Sequence, residues 1–170
     1  GAGQCGAAGV ETVEADLATR DGLQALVTAL GDRTPDVLLA NAGHGLGEAF
    51  LDQEWKDVAH VIHTNVTGTT WLLHHVGQKM RAKNAGRILV TGSIAGHIPG
   101  AFQLVYNSTK SYIDYFCFGL RNELKESDVV ITWGRRSICT VGGGRPLWSA
   151  NCAALHICDP QWPAAARMAT

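Results

Sequence analysis

Three residues of this chain are of the right type to move a proton to or from a carbon-bound oxygen: Ser93, Tyr106 and Lys110. Ser93 follows an apolar run that reads as a strand, and Tyr106-Asn107-Ser108-Thr109-Lys110 opens a stretch with helical spacing. Residues four apart share a helix face, so Tyr106 and Lys110 stand one above the other. The same face continues through Ile113, Cys117, Leu120 and Leu124, an apolar stripe that turns toward a core. Lysine is seldom buried without a reason, so a lysine heading that stripe beside a tyrosine reads as a placed charge. A nearby ammonium favours phenolate over phenol. Free tyrosine titrates near pH ~10 and each pKa unit is worth ~1.4 kcal/mol, so bringing Tyr106 toward neutrality takes roughly 4 kcal/mol. One close cation in a poorly hydrated site supplies that order of energy. Ser93 would hydrogen-bond the same substrate oxygen and hold it in line with the phenol. Taken alone the pair has a plainer reading, a core tyrosine and a lysine snorkelling to water.

Three upstream signals change that weighting. Asp36-Val37-Leu38-Leu39-Ala40-Asn41-Ala42-Gly43 is a buried-strand run that ends in small residues, where a ligand can approach the backbone. Asn65 is an amide of poor helix propensity inside a helix-patterned stretch. Asp16 ends the strand-like alternation Val10-Glu11-Thr12-Val13-Glu14-Ala15. Singly these read as a turn, an exposed amide and a helix N-cap. In this order and spacing, with Ser93, Tyr106 and Lys110, the set closely resembles the short-chain dehydrogenase/reductase family.

The resemblance runs from about Gly6 to Thr132. It implies a catalytic tetrad of Ser93, Tyr106, Lys110 and Asn65, with Tyr106 as acid in reduction and base in oxidation. On the same analogy Ser93 orients the substrate oxygen, Lys110 lowers the Tyr106 pKa and binds the nicotinamide ribose, and Asn65 holds a water linking Lys110 to solvent. Asp16 matches the adenine-contacting position, and Asn41, Ala42 and Gly43 match the strand end lining the cofactor cleft. The implied chemistry is hydride transfer between NAD or NADP and a ketone or secondary alcohol. NAD cannot be told from NADP here, because the discriminating region has no counterpart in the sequence. A non-catalytic remnant that self-associates without binding cofactor is the rival reading.

To position these residues the chain needs alternating strands and helices: β at 10–15, α at 20–30, β at 36–41, α at about 53–64 and 65–83, β at 86–91, α at about 103–126 and β at 129–132. Such alternation predicts a parallel α/β sheet. The expected fold is an incomplete Rossmann-like, doubly wound sheet lacking the first βαβ unit. The segment 94–105 is largely apolar and predicts one wall of an apolar substrate pocket. By analogy, the helices at 53–83 and 103–126 would form subunit contacts in a homo-oligomer.

Two departures accompany the match. The family's opening strand and glycine-rich turn, which receive the pyrophosphate at a helix N-terminus, have no counterpart here. Gly1-Ala2-Gly3-Gln4-Cys5-Gly6 spells the fingerprint without its strand and helix, and is read as coincidence. Gly142-Gly143-Gly144 reads as a flexible turn. In the doubly wound order 3-2-1-4-5-6 the segments at 10–15 and 36–41 match strands 3 and 4, which three intervals of ~4.8 Å hold about 14 Å apart. The expectation is therefore weak or absent dinucleotide binding by this chain on its own, and catalysis below detection. The second departure begins at Trp133, where the family continues with a Pro-Gly turn. Residues 133–170 hold one acidic residue, Asp159, and no lysine, but three of five tryptophans and three of five cysteines. They read as a divergent, poorly ordered tail, best explained by a shifted frame, after a domain spanning 1–132.

The 170 residues are 46% hydrophobic and 17% charged with a net charge of −1, which suits one domain with a real core and indicates no nucleic-acid partner. No apolar run approaches the ~20 residues of a membrane span and no secretory signal pattern opens the chain. A cytoplasmic protein is expected, with Cys5, Cys117, Cys139, Cys152 and Cys158 as free thiols. No metal site is expected: His63 and His74 lie about 16 Å apart along a continuous helix, and His60 with His63 supplies only two ligands.

Overall fold

The structure, a computed structural model, describes residues 11–134. Three strands, β1 (Val37–Ala40), β2 (Gly86–Thr91) and β3 (Val129–Gly134), form a parallel sheet in the order β1-β2-β3. Leu39 pairs with Leu89, and Leu89 with Thr132. Parallel neighbours need long crossovers, and helices supply them. The helices are α1 (Arg20–Leu30), α2 (Trp55–Ile62), α3 (Thr69–Lys83) and α4 (Leu104–Glu123). The architecture is the expected one, part of a Rossmann-like parallel sheet.

Alternate strand residues turn inward. Leu38 and Ala40, Ile88 and Val90, and Val129 and Ile131 pack with Leu72, Leu73, Val76 and Met80 of α3 and with Ile113 and Cys117 of α4. Each large aliphatic side chain buried in this way contributes about 1.5–3 kcal/mol. The stripe on α4 is thus a core face, with Tyr106 and Lys110 at its N-terminal end. Asn84 ends α3 in the left-handed conformation at φ 52°, a position that suits asparagine. Its amide exchanges two hydrogen bonds of 3.2 Å with Asp128, which fixes the start of β3.

Three expectations need correction. Residues 11–15 form no strand. A strand requires a ladder partner for its backbone groups, and β1 pairs only with β2 among the described residues. Segments 53–64 and 65–83 are one continuous run, joined by a π-helical stretch, His63–Gly68, whose flanking residues Ile62 and Thr69 keep right-handed helical angles. The break read into the sequence at residue 64 is a helix widening; such π-bulges are frequent at functional sites. β3 runs through Trp133 and Gly134, beyond the boundary placed at 132. Trp133 packs edge-on against Phe118, ring centres 4.7 Å apart. The Gly1–Gly6 run, Gly142–Gly144 and the rest of the divergent tail lie outside the described residues.

Candidate active site

The site lies where β1 and β2 end and α4 begins. Lys110 is buried, 6% exposed. Its Nζ donates to the carbonyl of Thr91, the last residue of β2, at 2.8 Å. The same ammonium lies 5.8 Å from the centre of the Tyr106 ring, inside the range of a cation–π contact. Burial pushes the Lys110 pKa below its ordinary value, and the Asp114 carboxylate partly opposes the shift.

Asn65 is not an exposed amide. It is 2% exposed and its side chain joins three elements. Its Nδ2 donates to the carbonyl of His44 at 2.8 Å and to Thr109 Oγ1 at 3.0 Å, while its Oδ1 accepts the His44 N–H at 3.0 Å. The π-helical widening is where this amide enters the site.

The loop after β1 passes between these groups because it carries glycines. A Cβ on Gly43 would lie 3.1 Å from Asn65 Oδ1 and 3.4 Å from Lys110 Nζ, and one on Gly45 would lie 3.1 Å from Tyr106 Cγ. Asn41 accepts from the Thr91 hydroxyl at 2.7 Å, which ties the ends of β1 and β2 together. Of the strand-end residues, Gly43 thus stands beside Asn65 and Lys110.

Ser93 stands two residues past β2 and caps a short turn, Ile94–His97. Its hydroxyl accepts the Ala95 N–H at 3.2 Å. Asp16 lies apart from the lysine. Thr19, not Asp16, caps α1, accepting the Gly22 N–H at 3.0 Å. Asp16 Oδ1 accepts the Ala18 N–H at 2.9 Å and lies 3.4 Å from His60 Nε2. His60 Nδ1 in turn stands 2.9 Å from His44 Nε2, so two histidines link Asp16 to the loop after β1. Burial and the neighbouring His60 push the His44 pKa down.

Two cavities flank α4. One of about 390 Å³ is lined by Phe50, Ile62, Val66, Leu104 and Val105, with Ser108 and Thr109. The other, of about 540 Å³, runs under Gly96–Pro99 and the outer face of α4. The apolar segment after Ser93 therefore contributes to both flanks rather than to one wall. His44, Thr91, Thr109 and Asp114 were missed by the sequence reading. Only Asp114 carried a signal, as a carboxylate four residues after Lys110 on the face that was read as purely apolar.

A parallel sheet with helical crossovers is the arrangement of doubly wound α/β folds, and here the end of β2 meets the Tyr106–Lys110 turn of α4. The sequence model of the short chain dehydrogenases matches residues 2–134, and the chain belongs to that family. It is 32% identical over 127 residues to serine 3-dehydrogenase of Agrobacterium fabrum, covering 73% of this chain and 51% of the relative. A bulky-bulky ketone specific alcohol dehydrogenase from Comamonas testosteroni superposes with TM-score 0.67 at 27% identity, over 71% of this chain and 49% of that one. A closed serine dehydrogenase complexed with NADP+ superposes with TM-score 0.65 at 30% identity, over 71% and 50%. The chain spans about half the length of these proteins.

Proposed function

We propose that this chain carries the catalytic half of an NAD(P)-dependent oxidoreductase that interconverts a ketone and a secondary alcohol. The observation that carries the reading is Lys110: a buried ammonium at the end of β2, 5.8 Å from the Tyr106 ring centre and packed beside Gly43.

The residues fit a nicotinamide cofactor on its sugar side. A Cβ on Gly43 would crowd Asn65 Oδ1 and Lys110 Nζ, so a glycine lets the β1 loop pass close to the ammonium, and Asn41, Ala42 and Gly43 would wall the cofactor cleft, as the resemblance implies. When bound, the nicotinamide gives or takes the hydride. Tyr106 exchanges the proton with the substrate oxygen, and Lys110 stabilises negative charge developing on the phenol oxygen. Ser93 orients that substrate oxygen, its Oγ keeping its own proton to donate while it accepts from Ala95. Asn65 Oδ1 and Lys110 Nζ both approach Gly43, and Asn65 would hold the water that links the ammonium to solvent, as the resemblance implies. The apolar cavity lined by Phe50, Ile62, Val66, Leu104 and Val105 would take the substrate's apolar end. Asp16 would contact the adenine side, as the resemblance implies. The exposed aromatics Trp55 on α2 and Tyr115 and Phe118 on α4 support self-association through these helices, which sedimentation of the Tyr115→Glu/Phe118→Glu double variant would test.

The function is tested by titration with NADH and NADPH, read by nicotinamide fluorescence. The purified chain is run beside a version with a strand, glycine turn, helix and strand joined upstream. The extended version is expected to bind at micromolar concentration, to lose at least tenfold with Lys110→Met, and to keep binding but lose ketone reduction with Tyr106→Phe. Unimpaired reduction by Tyr106→Phe would overturn the assignment.

A further inference from the structure

The turn that carries Ser93 is fastened to α4 by three side chains spaced along one edge of the helix. Asn107 Nδ2 donates to the Ile98 carbonyl at 2.7 Å, Ser111 Oγ donates to the Gly96 carbonyl, and Asp114 Oδ2 lies 2.7 Å from His97 Nε2. The turn lies so close that a Cβ on Gly96 would come within 2.9 Å of the Lys110 carbonyl carbon and the Ser111 nitrogen. Asp114 is the unusual member. Its side chain is 3% exposed against 37% for His97, and neither carboxylate oxygen has an aligned hydrogen bond. A buried carboxylate without such bonds is costly, so it needs basic neighbours. Among the described residues these are His97, across the turn, and Lys110, one helical turn earlier on the same helix.

We propose that Asp114 is a positioning residue of this site: its buried carboxylate, one helical turn after Lys110, places a negative group behind the lysine and, through His97 at 2.7 Å, locks the Ser93 turn onto the same helix. The proposal rests on the function proposed above for its meaning, but not for its test. Facing Lys110 are the Thr91 carbonyl from β2, Asn65 from the π-helical stretch, and Tyr106 and Asp114 from α4. Facing Asp114 are His97 from the turn and Lys110 and Cys117 from α4. Of these groups Asp114 supplies the one carboxylate, so its removal leaves Lys110 with neutral dipoles alone. Burial then drives Lys110 toward the neutral amine, which can no longer stabilise a phenolate.

The experiment follows Lys110 by NMR of the full chain with lysine labelled at 13Cε, the signal being assigned with Lys110→Arg. Asp114→Asn is expected to lower the Lys110 midpoint by a pH unit or more, a tenfold change in its charged fraction at a given pH in that range. Ser111→Ala cuts the neighbouring fastening without touching charge and should leave the midpoint in place. A merely structural role for Asp114 would make the two variants alike, and an unmoved midpoint in Asp114→Asn overturns the proposal. If Asp114→Asn does not fold, His97→Gln, altered at the half-exposed end of the pair, decides. It should speed amide exchange at Ala95 and Gly96 about tenfold, and unchanged exchange overturns the lock. Neither readout needs turnover, so cofactor titration can fail while this holds, and the reverse.

Discussion

Asn65 grips His44 by both polar groups of its backbone, accepting from the N–H at 3.0 Å and donating to the carbonyl at 2.8 Å. One buried amide thereby does for the β1 loop what a ladder partner does for a strand, and its remaining Nδ2 hydrogen reaches Thr109 on α4 at 3.0 Å.

Asn65→Ala should therefore cost about 2–4 kcal/mol of stability, since each buried group left unpaired costs about 1–3 kcal/mol. Urea unfolding measures it. A loss below about 1 kcal/mol would mean that water replaces the amide readily and that the clamp is not structural.

Lys110 makes stability depend on pH with a definite sign. Its folded pKa is depressed by burial from 10.5, so between the folded value and 10.5 the unfolded chain holds the extra proton. The stability associated with the neutral amine is present above 10.5 and is lost as pH falls through the folded pKa. In urea titrations approaching pH 10.5, wild type should gain on Lys110→Met as pH rises. A difference independent of pH would show that the ammonium is not desolvated.

Cys117 acts in the opposite direction. Burial, with help from the Asp114 charge, pushes its thiol from 9.0 to about 12. Its contribution is complete below pH 9.0 and is lost as pH rises toward 12, because the unfolded chain releases the proton first. Folded protein at pH 8.5 should leave Cys117 unmodified by iodoacetamide while denatured protein labels it within minutes. Equal labelling, read by mass spectrometry of the α4 peptide, would contradict its burial.

Trp133 tests where the domain ends. Its ring meets Phe118 edge-on at 4.7 Å, with the planes at 79°, and β3 carries it beside Val90. Trp133→Ala should destabilise by about 2–3 kcal/mol, somewhat less than the ~3–5 kcal/mol of a fully buried aromatic. A neutral result would return the boundary to Thr132.

Local spacing made much of this legible beforehand. The four-residue step from Tyr106 to Lys110 and the apolar stripe through Ile113 and Cys117 follow from helical geometry alone, and the runs at 37–40 and 86–91 carry strand patterning that needs no partner to be recognised. The limits of that reading are also local. Val10–Ala15 has a strand's alternation, but a strand exists only when another backbone accepts its hydrogen bonds, and a pattern within one segment cannot supply that. Likewise the sequence picked out Asn65 by its poor helix propensity, while its duty was set by His44 and Thr109, residues far away in the chain. Asp114 was passed over because periodicity sorts positions by face, not by whether a buried carboxylate will find His97 and Lys110 there. The sequence by itself determined which residue types share a helix face or a strand run, since bond geometry enforces those periods. Which polar groups meet, and at what protonation cost, was decided only in the tertiary structure, where desolvation and long-range contacts come into force together.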